Sequence, residues 1–151
     1  MSENRFLGRR DQTLTKLDFA LDGLRVLLAE DNKVNQQVAE GILKRRGVQV
    51  TLVGNGREAL EALEANPESY DLMLMDLEMP ELDGYETTDA IRKGKVKPDI
   101  PIVALTAQAI RGDREHCLQA GMDAYVSKPI SPDELYRVLA HIVCQPTTDS
   151  D

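Results

Sequence analysis

The sequence predicts an α/β fold, a (βα)5 doubly wound five-stranded parallel sheet with helices on both faces. Three observations carry that prediction. Short runs of Val, Ile and Leu recur along the chain, helical periods fill the intervals, and 151 residues suit one ordinary domain. Residues 1–23 balance Glu3, Asp11, Asp18 and Asp22 against Arg5, Arg9, Arg10 and Lys16, and their apolar residues keep no sustained period. They are expected to form a linker or extension. The domain itself is expected over 24–144. Its first strand is Leu24–Ala29, and Val34, Val38, Ile42 and Leu43 then share one helical face that Gly47 brings to a stop. Val48–Val53 is the second strand, followed by a helix through Ala59, Leu60 and Leu63. Leu72–Met75 is the third, and Asp83-Gly84 opens a helix over 83–93. Ile100–Leu105 is the fourth, with a less amphipathic helix over 111–120. Ala124–Val126 is the fifth, and Ser131-Pro132 starts a last helix whose Leu135, Val138, Leu139 and Ile142 align. Residues 145–151 form a polar tail. The strands lack strict alternation, as expected for strands buried on both faces.

Composition narrows the function classes. The chain carries 18 Lys+Arg against 26 Asp+Glu, a net charge of -8, with 42% hydrophobic residues. That is enough apolar material for a core. The acidic balance disfavours sequence-independent contact with nucleic acid or anionic lipid. No run approaches the roughly 20 apolar residues of a spanning helix, and the N-terminus lacks a secretory apolar region. Cys117 and Cys144 belong to no metal pattern and are expected to be reduced thiols of a cytoplasmic protein.

In open parallel sheets the chemistry lies beyond the carboxyl ends of the strands. There this chain places Glu30-Asp31-Asn32, Asp76, Thr106 and Ser127-Lys128-Pro129. Alone, Asp31 would read as a helix cap. Three carboxylates, a hydroxyl and an ammonium on one rim ask for another explanation. Crowded, buried carboxylates repel, and a divalent cation relieves them. A few hard oxygen ligands with room for water and a phosphate oxygen suit Mg2+ better than Zn2+ or Ca2+. Asp76, held rigidly after Leu72–Met75, is then a nucleophile for an aspartyl phosphate. Lys128 would pair with the phosphoryl charge and Thr106 would donate to one of its oxygens.

Four motifs in order, Leu27–Asn35, Asp76–Gly84, Pro101–Ala107 and Ala124–Pro129, make residues 24–142 resemble the phosphoacceptor receiver domains of two-component signalling. The resemblance implies a flavodoxin-like sheet. It implies Glu30 and Asp31 as the acidic pair, Asp76 as the phosphoacceptor and Mg2+ as the cofactor, with the Glu78 backbone carbonyl as a further ligand. It also implies Thr106 and Tyr125 as switch residues, Lys128 as the phosphate-pairing lysine and a cis Lys128-Pro129 bond. Glu78 and Gln108 would tune hydrolysis. Asn32, Asn35 and Gln36–Ala39 further resemble receivers attached to hybrid sensor histidine kinases. On that resemblance residues 1–23 are a junction from a kinase core, and the partners are that core, a histidine-containing phosphotransfer domain, or both. The parent protein would then be membrane-anchored or free in the cytoplasm. The chain by itself is no enzyme beyond self-directed phosphotransfer. A stand-alone single-domain regulator is the alternative, and the few residues after Ile142 leave no room for a DNA-binding output domain.

Rival classes fit less well. An aspartyl-phosphate hydrolase of the haloacid dehalogenase type needs Asp-x-Asp after its first strand, where this chain has Glu30-Asp31. A flavodoxin needs Ser, Thr and Gly in its first loop, where Glu30 and Asp31 would repel a phosphate. Gly54-Asn-Gly56 lacks the third glycine of a dinucleotide fingerprint. His116 and His141 are expected on helix surfaces away from the rim, and Met73, Met75 and Met79 in core and loop packing.

Overall fold

The computed structural model describes residues 21–79, 82–107 and 113–144. Strands β1 (Arg25–Ala29), β2 (Gln49–Val53), β3 (Leu72–Asp76), β4 (Ile102–Thr106) and β5 (Ala124–Ser127) form one parallel sheet in the order β2-β1-β3-β4-β5. Helices α1 (Lys33–Lys44), α2 (Gly56–Ala65), α3 (Gly84–Lys93), α4 (Asp113–Gln119) and α5 (Pro132–Cys144) follow the strands in turn. The five-stranded doubly wound reading therefore holds, including the weak fourth helix.

Alternation along the strands builds two cores. Val26, Leu28, Leu72, Leu74, Val103, Leu105 and Val126 pack against Ala39, Ile42 and Leu43 of α1 and Leu135 and Leu139 of α5. Leu27, Ala29, Met73, Met75, Ile102 and Ala104 pack on the other face against Ala59, Leu63, Ile91 and Cys117 of α2, α3 and α4. The chain thus changes faces between α1 and α2, with β1 and β3 side by side at the centre. That arrangement leaves a crevice beyond their carboxyl ends.

Helix ends follow local chemistry. Asn32, Asn55 and Asp83 cap α1, α2 and α3, each side chain accepting from the backbone N–H three residues on. Glu86 completes a capping box by accepting from Asp83 N. Gly47 closes the turn after α1 at φ +81°, where a Cβ would run into Asp22.

Three expectations change. The edge strands are only half buried, because β2 and β5 each have a neighbour on one side, and Gln49 and Thr51 face solvent. Val34 and Val38 do not join the core face of α1; they are 66% and 45% exposed. The first two turns of α1 stand at the rim, and only Ala39, Ile42 and Leu43 come down onto the sheet. The boundary expected at residue 24 falls inside the packed body: Leu21 is 1% exposed and belongs to the first core. Leu24 N donates to Leu21 O at 2.9 Å and Gly23 N to Gly47 O at 2.8 Å, which ties 21–23 to the α1–β2 turn. Residues 1–20 and 145–151 of the expected extension and tail lie outside the described residues, as does Gln108.

Candidate metal centre

Glu30 follows β1 and Asp76 ends β3, two neighbouring central strands paired through Ala29 and Met75. The sheet register alone therefore sets the two carboxylates side by side. Both are buried, Glu30 at 1% and Asp76 at 2% exposure. Asp31, the next residue, stays exposed at the mouth. It is not the cap of α1, since Asn32 takes that place, so its carboxylate is left for the crevice. One oxygen from each of Glu30, Asp31 and Asp76 lies within 4.8 Å of the others. Adjacent oxygens at about 2.1 Å from one octahedral ion stand roughly 3 Å apart, so these three have to draw together around Mg2+.

Lys128 closes the set from β5. Its Nζ is 3.1 Å from Glu30 Oε1 and 3.1 Å from Asp76 Oδ1. Its backbone N donates to Thr106 O at 2.7 Å, so the end of β4 fixes where the ammonium starts. The Lys128-Pro129 peptide is cis. Glu78 lies on the loop after β3, and its N–H donates to Asp76 Oδ1 at 3.1 Å.

Glu30 is held by α1. Its Oε2 accepts from Asn32 N at 3.1 Å and from Asn35 Nδ2 at 3.4 Å, and its backbone carbonyl accepts from Gln36 Nε2 at 2.5 Å. Oε1 is buried and has no aligned hydrogen bond, although Lys128 Nζ is close. Oε1 is thus held by the Lys128 ammonium alone, and a buried carboxylate oxygen met by a single mobile cation can also serve a metal ion. The donor set is all oxygen, which matches a hard divalent ion.

Electrostatics agree. Burial, with the Glu30 charge adding, pushes Asp76 up to about 6, against the pull of Glu78 N–H and Lys128. Burial alone would lower Lys128, but Asp76 and Glu30 outweigh it and raise it. Burial thus opposes the ionised form of Asp76 even with Lys128 in place.

Thr106 is buried as the last residue of β4. Tyr125 is paired opposite Ala104 and packs, half buried, against the second core. Alternation puts Thr106 and Tyr125 on the side of α2, α3 and α4, whereas Asp76 shares the side of Leu74, α1 and α5. His141 sits on α5 away from the rim as expected. His116 is exposed too, but its ring stacks on Tyr85 with centroids 4.6 Å apart, a contact between α3 and α4 that spacing gives no hint of. Met73, Met75 and Met79 are buried packing residues. Asn35 and Gln36 carry motif resemblance in the sequence but no role there. Amide side chains one turn after an acidic pair are the signal that could have assigned them.

The family model for the response regulator receiver domain matches residues 26–140. Among curated proteins, the chain is 38% identical over 160 residues to probable histidine kinase 5 of Oryza sativa subsp. japonica, covering 93% of this chain and 13% of that protein. It is 41% identical over 126 residues to hybrid signal transduction histidine kinase I of Dictyostelium discoideum, covering 80% of this chain and 7% of that protein. The chain therefore spans a small part of the curated relatives it matches. One solved structure is the receiver domain of a sensor histidine kinase from Pseudomonas aeruginosa PAO1 with a magnesium ion in its active site cleft. It is 47% identical, with a TM-score of 0.73, over 81% of this chain and 98% of that one. Another is the receiver domain of the Saccharomyces cerevisiae response regulator Ssk1, crystallised with the histidine phosphotransfer protein Ypd1. It is 29% identical, with a TM-score of 0.73, over 86% of this chain and 96% of that one.

Proposed function

This chain belongs to the response regulator receiver domain family of two-component signalling, and from that premise we propose that Asp76 accepts the phosphoryl group. The observation that carries the assignment is the burial of Asp76 between Glu30 and Lys128, with Asp31 at the mouth. A carboxylate oxygen of Asp76 attacks the phosphorus of a phosphohistidine, the P–N bond breaks, and the imidazole leaves with a proton from solvent. Lys128 gives up part of its hold on Asp76 to meet the phosphoryl oxygens, and Thr106 donates to one of them. Glu30, Asp31, Asp76 and the Glu78 carbonyl hold Mg2+. When bound, that ion supplies the positive charge that an incoming phosphoryl group requires. Glu78, beside Asp76, tunes hydrolysis.

We assign the phosphoacceptor unit to about residues 21–144, with the junction before it and a polar tail after it. Its place is as the receiver of a hybrid sensor histidine kinase acting at the cytoplasmic side, and the similarity to histidine kinases of rice and Dictyostelium supports this. The phosphate donor is the kinase core, and a histidine-containing phosphotransfer domain is donor or recipient. Such a partner has to cross the rim to reach Asp76, where Val34 and Val38 offer apolar contact. Among the described residues no helix is long and apolar enough to cross a membrane.

Acetyl phosphate with Mg2+ tests the assignment. Wild type is expected to gain one phosphoryl group by intact mass, lost on alkaline hydrolysis, and Asp76→Asn to gain none. Equal labelling of Asp76→Asn would remove Asp76 from this role.

A further inference from the structure

A glutamate is a costly choice where an ion needs a fixed ligand, because its side chain has one more rotatable bond to order than aspartate. Glu30 is nevertheless fixed at both ends. Its backbone N donates to Val53 O at 3.1 Å, and its carbonyl accepts from Gln36 Nε2 at 2.5 Å. Its carboxylate is tied to α1 through one oxygen only: Oε2 accepts from Asn32 N and Asn35 Nδ2, while Oε1 stands 3.1 Å from Lys128 Nζ. The two amides are themselves set by the helix cap, since Asn35 N donates to Asn32 Oδ1 at 2.9 Å and Gln36 N to Asn32 O at 2.9 Å. The first turn of α1 is thus a clamp on Glu30.

We propose that Asn35 and Gln36 are positioning residues that make the centre prefer Mg2+ over Ca2+, by holding Glu30 so that Oε1 alone is presented to the ion. The inference rests on the metal reading above. Mg2+ demands a compact octahedron and takes carboxylates through one oxygen, whereas Ca2+ accepts more ligands and two-oxygen contacts. With Oε2 engaged by Asn35 and the helix, a two-oxygen contact from Glu30 requires those hydrogen bonds to break. With the carbonyl held by Gln36, the Glu30 backbone cannot slide outward to fit the longer Ca2+–oxygen distance.

The test compares Mg2+ and Ca2+ dissociation constants for wild type, Asn35→Ala and Gln36→Ala by isothermal titration calorimetry. The chain contains no tryptophan, so calorimetry replaces tryptophan fluorescence as the readout. Alanine suits the interior of a helix, so both variants are expected to fold, and melting in EDTA checks this. Each is expected to weaken Mg2+ by roughly 10-fold, the usual loss when a group supporting a ligand is removed, and Ca2+ by clearly less. The ratio of the two constants then moves toward Ca2+. Unchanged constants, or equal weakening of both ions, in folded variants would overturn the positioning role while leaving the metal reading intact. Failure of wild type to bind Mg2+ at all would overturn both.

Discussion

Asp76 bears its charge against its own desolvation. Its ordinary value is 3.8, and in the folded chain burial lifts it to about 6. Between about pH 4 and pH 6 the folded protein keeps a proton that the unfolded chain has lost. Stability therefore falls as pH rises through that window, and the full penalty persists above it. Asp76→Asn removes the penalty. In EDTA at pH 7.5 this variant is expected to be more stable than wild type by about 1–2 kcal/mol after allowance for screening by solvent, and the gain should vanish near pH 4. Urea melts at both pH values check the sign. A variant less stable than wild type at pH 7.5 would mean that Lys128 binds Asp76 more strongly than burial opposes its charge. The same logic runs the other way at Asp71. There hydrogen bonds from the Arg25 guanidinium hold the carboxyl below its usual range, so that contribution is present at neutral pH and disappears only in acid.

At the scale of the elements, the cost of mutation concentrates where helices touch. α2 starts at Gly56, where a Cβ would stand 2.6 Å from Leu82 O and 2.9 Å from Leu82 Cβ, and would overlap the Thr87 hydroxyl of α3. Gly56→Ala favours the helix in isolation, yet here it has to push α2 off α3. A loss of about 1–3 kcal/mol is expected, measurable as a lower midpoint in urea with an unchanged slope. Spacing does not disclose this glycine, because its reason is a neighbour that arrives later in the chain. Local signals were the legible ones. The strands β1, β3 and β4, the Asp83-Gly84 start and the Gly47 stop could all be placed from residues within one turn of each other. Val34 and Val38 misled, because a 3.6-residue period says which side of a helix is apolar and not how far the sheet extends beneath it. Leu21 was missed for a related reason: one leucine without a period is silent until the core that receives it is known. The carboxylates were legible because strand ends in a parallel sheet converge whatever the side chains, whereas Asn35 and Gln36 gain meaning only from distances.

For the molecule as a whole, the question is how a charge placed on Asp76 reaches a partner. Thr106 and Tyr125 stand on the same side of neighbouring strands, two residues apart in register, Tyr125 lying opposite Ala104. A hydrogen bond from Thr106 to a phosphoryl group would draw the end of β4 inward and open space that the half-buried Tyr125 ring can fill. A beryllium fluoride adduct on Asp76 is therefore expected to move amide resonances of α4 and Tyr125 as well as the loops around the crevice. Thr106→Ala should still form the adduct and lose most of the distant shifts. Shifts of equal size at Tyr125 in both proteins would show that Thr106 does not carry the message.

The sheet also works as a partition. Glu30 and Lys128 meet Asp76 over the layer of α1 and α5, whereas Thr106 and Tyr125 face the layer of α2, α3 and α4. On the proposed function, most side chains that would hold the ion and those that would pass the signal on lie on opposite faces, and Thr106 at the end of β4 belongs to both. If so, one side could be rewritten for a new listener while the other kept the proposed phosphoacceptor. A designer who wishes to redirect this domain has a wall to work behind.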